Sequence, residues 1–494
     1  MVLGQVVGRR FVLGAMLAGV ALPVWADAPA TSPRPVTRGG LDRGADSEVA
    51  RLIEAAKLGG AVGFCVADAA TGVMLESGGA DQPMAPASVC KAVTSLYALE
   101  KLGPVHRFTT RVMRVGAVVD GRLEGDLILA GGGDPTLDTD SLGDLVAALA
   151  ATGLREVTGR FLAYGAAIPE RERISADQPD HVGYNPAISG LMLNFNRVYF
   201  EWKRANGDWA LGMDARGERF VPPVHMASAR LAKREVPVFT YERGEKEDRW
   251  TVAQSALGQD GSRWLPVRHP AIYVAEVFAT LCRAQGIVLK EAEVVTVLPE
   301  GAVQMVAHDS AVLTDLLRSM LKFSTNLTAE AVGLAASGAG TLEGSAAAMT
   351  DWARRRFGIA GRLGDHSGLG PNSRITAADM MRVMIGAKAT QTGKLLGGLM
   401  RDHGLVDAEG NERKDSRVRV RAKSGTLNFV SCLSGYIGAP EGRELAFAIF
   451  TGDLPRRDAI PIAERETPKG VKSWVRRSRR LQGQLIARWA DAYL

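Results

Sequence analysis

The sequence is poor in the residues that build metal sites and disulfide frameworks. Its 494 residues include seven histidines, without an HExxH motif, and four cysteines, without a CxxC pair. We therefore expect neither a metal site nor another cofactor. Because the cysteines lie far apart in apolar segments, buried free thiols are favoured over a disulfide between Cys90 and Cys432. The four cysteines are Cys65, Cys90, Cys282 and Cys432.

Strong charge and long apolar runs are missing as well. The formal net charge is +6, and removal of residues 1–26 would leave +4. A balance so close to neutral argues against nucleic acid as a partner. No apolar run reaches the roughly 18 residues that a membrane-spanning helix needs.

The first residues have the pattern of an export signal. Arg9 and Arg10 precede the apolar segment 11–24, and a small residue follows at Ala26. We predict a cleaved signal peptide over 1–26 and hence a periplasmic protein, with the general and the twin-arginine export routes both open. An uncleaved anchor is the alternative, for which the segment is short.

Composition changes along the chain indicate its organisation. Residues 27–47 are rich in Pro, Gly and Ser and predict a flexible leader. Helical patterns occupy the middle of the chain with β-prone runs on either side, so an early hairpin and late strands can form one antiparallel sheet covered by long helices. We expect an α+β domain made of 48–106 and 306–494, split by a strand-rich insertion at 107–305.

Turn and helix signals predict individual elements. Hairpins are expected around Ala70-Thr71-Gly72 and around Asp120-Gly121, because β-prone runs flank both turns. The predicted helices and late strands are helices 47–58 and 86–103 and strands 420–439 and 445–452.

Three short motifs contain candidate chemistry. In the helix predicted over 86–103, Lys91 follows Ser88 by three positions, so both side chains lie on one face within reach of each other. That is the geometry of a nucleophile beside a base. The motif Ser324-Thr325-Asn326 interrupts two helical stretches, and Lys423-Ser424-Gly425-Thr426 lies in a late strand. In this order the motifs match the S-x-x-K, S-x-N and K-[TS]-G set of the active-site serine penicillin-recognising enzymes.

Longer stretches resemble one branch of these enzymes, the D-alanyl-D-alanine carboxypeptidase/endopeptidase family, or class C low-molecular-mass penicillin-binding proteins. The resemblance covers nearly all of the chain beyond the signal. It implies a transpeptidase/β-lactamase-like domain with a large insertion between the first two motifs, which the distance from Lys91 to Ser324 accommodates. The similar stretches are GDLILAGGGDPTL at 125–137, residues 191–196, MLKFSTNLTAE at 320–330 and the SGL at 367–369.

The resemblance implies a role for each residue of the first two motifs. Ser88 is the expected nucleophile, near a helix N-terminus whose dipole favours negative charge. Lys91 is the expected base, kept neutral by burial and by the nearby Lys423, although the identity of the base in this superfamily is disputed. Ser324 would carry the proton to the leaving nitrogen, and Asn326 would hold the substrate amide.

The third motif is expected to bind the end of the substrate. Lys423 would attract the terminal carboxylate, and the hydroxyls of Ser424 and Thr426 would hydrogen-bond it. Gly425 would leave room for an extended peptide along the strand edge. The backbone N–H groups of Ser88 and Thr426 would form the oxyanion hole.

The implied activity is that of a periplasmic serine D,D-carboxypeptidase. It would remove the terminal D-alanine from peptidoglycan stem peptides through an acyl-enzyme on Ser88, with D,D-endopeptidase activity on crosslinks as a second expectation. Stem peptides are thus the expected partners, and β-lactam antibiotics the expected covalent inhibitors. The alternatives are a β-lactamase or esterase on the same scaffold and a non-catalytic peptidoglycan-binding protein. A β-lactamase is disfavoured because the chain is long and has no ExxLN run in the right place.

Two further features lie outside the motifs. His366 stands where the family usually has a small residue, and we expect no catalytic role for it.

The C-terminal segment 469–494 is basic and amphipathic. Packing of its apolar face on the sheet is favoured, and weak contact with a membrane surface is the alternative. That face contains Trp474, Leu481, Leu485 and Trp489.

Overall fold

The computed structural model describes residues 43–494 except 206, 408–410, 415, 440 and 441. The predicted signal peptide and residues 27–42 of the predicted leader lie outside the described residues. Residues 51–494 form one compact unit, and the unit 1–50 contributes only the start of the first helix to the described residues.

The helices and strands of the described residues are as follows. The helices are α1 (Arg43–Ala56), α2 (Cys90–Leu102), α3 (Thr139–Ala151), α4 (Pro270–Ala284), α5 (Leu313–Phe323), α6 (Asn326–Ser337), α7 (Leu342–Phe357), α8 (Ala377–Lys388), α9 (Lys394–Leu399), α10 (Leu454–Asp458) and α11 (Val471–Tyr493). The strands are β1 (Ala61–Asp68), β2 (Met74–Gly78), β3 (Thr109–Val119), β4 (Arg122–Ala130), β5 (Glu156–Val157), β6 (Phe161–Tyr164), β7 (Arg197–Ala205), β8 (Asp208–Asp214), β9 (Ala227–Ala232), β10 (Phe239–Arg243), β11 (Asp248–Ala253), β12 (Asp260–Pro266), β13 (Ala292–Val295), β14 (Val303–Asp309), β15 (Arg401–His403), β16 (Arg419–Leu427), β17 (Val430–Gly438) and β18 (Glu444–Gly452).

The first sheet joins the two ends of the described chain. Its strand order is β15-β16-β17-β18-β1-β2, and all its neighbours are antiparallel. The β1–β2 hairpin closes because Asp68 accepts hydrogen bonds from the backbone of Ala70 and Thr71, while Gly72 takes a positive φ of 73°. The predicted sheet of an early hairpin and late strands, and the α+β fold class, are therefore confirmed.

Successive side chains of a strand point to opposite faces of the sheet. Helices cover both faces of the first sheet, so neighbouring residues of one strand pack on different helices. Cys65 belongs to the core that β1 shares with α2 and α8, whereas the adjacent Phe64 contacts the ring of Trp489 in α11. Phe447 of β18 contacts the same indole.

The C-terminal helix α11 packs its apolar face on the first sheet, as favoured from the sequence. Trp474, Leu481, Leu485 and Trp489 are fully buried. The face that a lipid surface would need is therefore already covered. Among the described helices, none has the length and apolar character required to cross a bilayer.

The second six-stranded sheet comes from the middle of the chain. Its order is β13-β6-β4-β3-β14, with β5 beside β4, and two three-stranded sheets, β10-β11-β9 and β12-β7-β8, accompany it. The predicted β3–β4 hairpin is confirmed. Its turn residues Asp120 and Gly121 take positive φ values of 50° and 79°, as a tight two-residue hairpin requires.

The division of the chain into a split domain and an insertion stays a prediction. Strand β14 crosses the predicted boundary between 305 and 306, because it pairs with β3 as far as the Asp309–Thr109 pair. The first and second sheets have separate hydrophobic cores.

Two predicted helices differ from the observed ones at their starts. The helix predicted over 86–103 begins with a 3₁₀ turn, Ala87–Val89, before α2. The helix predicted over 47–58 begins at Arg43 and ends before Lys57, which takes a positive φ of 47°. Residues 43–47 of the predicted flexible leader are therefore helical.

The single late strand predicted over 420–439 is wrong, since this segment is the β16–β17 hairpin. Its turn, Asn428-Phe429, contains no glycine or proline, and Phe429 supplies the positive φ of 52° that a tight turn needs. Asn428 is thus the only turn-forming residue of this turn, and the glycine or proline that would have marked it clearly is missing. The cysteine prediction is confirmed, because all four cysteines are buried and free.

Candidate active site

The serine and lysine of the first motif meet at the junction of the 3₁₀ turn and α2. Lys91 Nζ lies 2.8 Å from Ser88 Oγ. Lys91 is fully buried, and the residue before the serine, Ala87, has a positive φ of 47°. Such a backbone is strained for alanine and persists only where the surroundings enforce it. The strained turn comes directly before Ser88, whose hydroxyl lies against the buried amine of Lys91.

The second motif brings its two polar side chains to the same place. Ser324 ends α5 in the left-handed conformation, with φ 60°, and Asn326 begins α6. Lys91 Nζ donates to Asn326 Oδ1 at 2.7 Å and to the carbonyl of Ser367 at 2.8 Å. The Asn326 amide donates to the carbonyl of Tyr184 at 2.9 Å. Both ends of the carboxamide predicted to hold substrate are therefore engaged by the protein.

The third motif reaches the second through its lysine. Lys423 Nζ donates to Ser324 Oγ at 3.1 Å and to the carbonyl of Ser424 at 2.6 Å. Ser324 therefore contacts Lys423 rather than Lys91, so the proton shuttle expected between Lys91 and Ser324 has no direct hydrogen bond in this structure.

Gly425 fits β16 tightly against the turn that contains the serine. A Cβ at this position would lie 2.8 Å from Pro86 O and 2.8 Å from Ser88 N. The missing side chain of Gly425 therefore makes room for the serine turn, because the position that a Cβ would take faces Pro86 and Ser88. It does not make room for substrate, contrary to the expectation. The same contact places Ser88 N next to Gly425, the residue before Thr426 in β16.

Strand β16 has a free edge next to the serine. Strand β15 pairs with it only from Val420 to Ala422, so in the described sheet residues 423–427 have a strand neighbour on the β17 side alone. An extended peptide can align with such an edge through backbone hydrogen bonds.

A cleft of about 300 Å³ opens onto these residues. Ser88, Ser324, Asn326 and Thr426 line it, whereas Lys91 and Lys423 lie beneath its wall, and Ser424 is exposed outside its lining. The structure thus brings together most of the predicted site residues. The other lining residues are Gln178, Tyr184, Gly368, Leu369, Leu427, Asn428, Arg457, Arg465, Glu466 and Val471.

The family model of the D-Ala-D-Ala carboxypeptidase 3 (S13) family matches residues 45–467. The chain belongs to this family. It is therefore a serine-type D-Ala-D-Ala carboxypeptidase and a penicillin-binding protein, as the motifs indicated.

Curated relatives are similar over most of their length. The chain is 28% identical to a D-alanyl-D-alanine carboxypeptidase of Actinomadura sp. (strain R39), over 90% of this chain and 89% of the relative. It is 24% identical to the D-alanyl-D-alanine carboxypeptidase DacB of Haemophilus influenzae, over 75% of this chain and 82% of the relative.

The fold is shared with a crystal structure of penicillin binding protein 4 (dacB) from H. influenzae. The TM-score is 0.70 at 20% identity, covering 89% of this chain and 99% of that chain. The same protein complexed with a novel β-lactam matches with a TM-score of 0.67 at 20% identity, with the same coverage. This likeness confirms the predicted fold class.

Burial sets the electrostatics of the two lysines of the carboxypeptidase. It lowers the pKa of Lys91 to about 8, against the attraction of Cys90, Glu330 and Asp365. It lowers the pKa of Lys423 to about 7, with smaller contributions from the charges of Lys91 and Arg401. Each amine can therefore lose its proton near neutral pH, which an exposed lysine cannot do.

Sequence reasoning missed the buried acids behind Lys91. The carboxylate of Glu330 accepts the backbone N–H groups of His366 and Ser367, at 3.1 and 2.9 Å, and so fixes the Ser367 carbonyl that Lys91 contacts. Burial raises the pKa of Glu330 to about 8 and also raises the pKa of Asp365. The available signal was that Glu330 is the only charged residue of α6.

His366 lies in the core and not in the cleft. It is fully buried, and its Nε2 lies 2.7 Å from Ser345 Oγ. Burial lowers its pKa to about 3, so the ring is neutral. This placement agrees with the expectation that it has no catalytic role.

Proposed function

We propose that the enzyme cleaves the D-Ala-D-Ala bond of peptidoglycan stem peptides through an acyl-enzyme on Ser88. The observation that supports this most directly is the 2.8 Å contact between Ser88 Oγ and the buried Lys91 Nζ. Neutral Lys91 takes the proton of Ser88 while the oxygen attacks the carbonyl carbon of the penultimate D-alanine. The serine hydroxyl alone is too weak a nucleophile for this step.

The developing oxyanion is stabilised by backbone N–H groups. Ser88 N lies against Gly425, the residue before Thr426 in β16, and the N–H groups of Ser88 and Thr426 are the proposed donors. Loss of one such donor costs roughly 10²–10³ in rate in comparable hydrolases. The substrate backbone aligns with the free edge of β16, residues 423–427.

Proton return to the leaving amine is assigned to Ser324 with Lys423 behind it. Lys423 Nζ lies 3.1 Å from Ser324 Oγ, so Ser324 can give its proton to the departing D-alanine nitrogen and regain one from Lys423. The C–N bond then breaks and leaves an ester on Ser88. Before the second step Lys91 releases to solvent the proton that it took from Ser88, and Lys423 regains one from solvent. Neutral Lys91 then deprotonates a water that attacks the ester carbonyl and returns this proton to Ser88 Oγ as the ester bond breaks. The peptide leaves one residue shorter.

Asn326 and Ser424 are also assigned to substrate binding. Asn326 lines the cleft, so its carboxamide can turn from Tyr184 to the substrate amide. Ser424 is exposed next to the cleft and reaches substrate only if the peptide extends along β16.

We also propose D,D-endopeptidase activity on crosslinks and covalent inhibition by β-lactams. Residues of the middle segment, Gln178 and Tyr184, line the cleft together with the motif residues, so the shape of that segment limits the size of the leaving group. A β-lactam places its strained amide where the D-Ala-D-Ala amide binds.

We place the enzyme in the periplasm, where its substrate lies, after removal of residues 1–26. Peptidoglycan is its partner there. A membrane-surface contact finds no support in α11, because Trp474 and Trp489 are buried against the first sheet.

The deciding experiment measures D-alanine release from a stem pentapeptide by residues 27–494 and by the Ser88→Ala variant. We expect release by the wild type and at least a 10³-fold loss in the variant, because among the described residues Ser88 supplies the only hydroxyl that hydrogen-bonds Lys91 Nζ. Intact-mass measurement with penicillin should show a lasting adduct on the wild type only. Rapid penicillin turnover without D-alanine release would instead identify a β-lactamase. If both activities are absent, a binding role would be the remaining explanation.

A further inference from the structure

Arg479 of α11 lies beside the cleft residue Thr426. Its guanidinium donates a hydrogen bond to Thr426 Oγ1 at 3.4 Å. Thr426 lines the cleft together with Ser88 and follows Gly425 on the free edge of β16. The C-terminal helix thus brings a cation to the end of the site where the strand passes the serine.

The charge of Arg479 is not neutralised by an ion pair in the part of the chain that the structure describes. The acid at the cleft, Glu466, is engaged elsewhere, by Arg263 at 2.5 Å and by His181 at 2.7 Å. Arg479 is exposed to solvent, and a guanidinium keeps its charge throughout the physiological pH range. It is therefore available to an anionic ligand.

Lys423, the residue expected to attract the substrate carboxylate, is poorly placed for that role. It is 2% exposed, lies beneath the cleft wall, and donates two of its N–H groups to Ser324 Oγ and to the carbonyl of Ser424. Its lowered pKa, about 7, also leaves it only partly charged at neutral pH.

We propose that Arg479 binds the α-carboxylate of the leaving D-residue, together with the hydroxyl of Thr426. This inference rests on the proposed function. The hydroxyl oxygen accepts from Arg479, so the hydroxyl hydrogen is free to donate to the carboxylate. The remaining N–H groups of the guanidinium fork donate to the same carboxylate, and such charge-assisted bonds are about twice as strong as neutral ones. Arg479 then selects substrates with a free carboxylate next to the scissile bond.

The test compares two substrates that differ only in this carboxylate, a D-Ala-D-Ala peptide and the same peptide ending in D-alanine amide. For each enzyme the ratio of kcat/KM for the acid to that for the amide is measured. We expect Arg479→Ala to lower this ratio about tenfold, through loss of activity on the acid alone. Arg479→Lys keeps the charge but lacks the guanidinium fork. Its ratio should lie between those of the wild type and of Arg479→Ala.

Arg480→Ala is the matched control, because Arg480 is an exposed arginine of the same helix without a contact to Thr426 among the described residues. It should leave the ratio unchanged. High salt should lower the ratio of the wild type towards that of Arg479→Ala, since exposed charges are screened.

An equal loss on both substrates, or no loss on either, would overturn the role of Arg479. Failure of the proposed function would give a different result. The wild type would then release no D-alanine from the acid, and Ser88→Ala would change nothing.

Discussion

At Lys91, a single buried amine gathers the parts of the active site. Its Nζ donates to Ser88, Asn326 and Ser367, which come from three separate segments of the chain. Burial lowers its pKa to about 8. A lysine with this pKa is partly neutral at physiological pH and can accept a proton, whereas an exposed lysine is almost always charged.

The rate of acylation should therefore rise with pH through about 8. Below the pKa of Lys91 the amine is protonated and cannot take the proton of Ser88, so the rate should fall about tenfold per pH unit. The measurement is the second-order rate of penicilloyl adduct formation between pH 6 and pH 9.5. A rate that is constant from pH 6 upwards would show that Lys91 is not the base.

Among the elements, β16 and the serine turn depend on a close contact at Gly425. The strand passes so near the turn that a Cβ would come within 2.8 Å of two backbone atoms, Pro86 O and Ser88 N. The distance between the serine and the strand edge is thus set by the absence of one side chain. Backbone atoms cannot move aside as a flexible side chain can.

Gly425→Ala should separate β16 from the serine turn. We expect a loss of about 1–3 kcal/mol in the free energy of unfolding from overpacking, and at least a tenfold loss in the rate of acylation because the proposed oxyanion donors move apart. Urea unfolding and adduct formation would measure the two effects.

Gly398→Ala provides the matched control for this variant. Gly398 lies in α9, and a Cβ there would meet nothing within 4 Å. Alanine in a helix should be neutral or stabilise by about 0.5–1 kcal/mol. Equal behaviour of the two variants would contradict the close-contact explanation.

On the scale of the whole molecule, the segment 453–467 after β18 ties the first sheet to the middle of the chain. Arg457 and Arg465 both pair with Asp177, and Glu466 pairs with Arg263 and hydrogen-bonds His181. Residues of this segment also line the cleft. The ion pairs therefore hold one wall of the site in place.

The stabilisation by Glu466 should disappear in acid. Hydrogen bonds from His181, and then from Arg263, lower its pKa from 4.5 to about 2. An acid whose pKa is lowered in the folded state stabilises above the pKa of the unfolded state and loses this effect as pH falls towards the folded value. The difference in unfolding free energy between wild type and Glu466→Gln should thus be full above about pH 4.5 and shrink below it.

Urea unfolding at pH 6 and pH 3 would measure this difference. Glu464→Gln, at an exposed position two residues away, is the matched control and should change the free energy of unfolding by less than about 0.5 kcal/mol. A Glu466→Gln difference that is the same at both pH values would rule out the ion pairs as its source.

By itself, the sequence determined the chemistry and the main elements of this protein. The spacing of Ser88 and Lys91 predicted their contact, since three residues are one helical turn. The hairpins at Ala70-Thr71-Gly72 and Asp120-Gly121 followed from their turn residues, and the order of the three motifs indicated the family.

Only the tertiary structure decided which groups surround these residues. That Ser324 contacts Lys423, that Gly425 faces the serine turn and that Glu330 fixes the carbonyl bound by Lys91 depend on segments more than thirty residues apart. Arg479 reaches Thr426 only because α11 folds onto the first sheet. Local patterns carry information about neighbours along one helix or strand, whereas contacts between distant segments are set by how the elements pack.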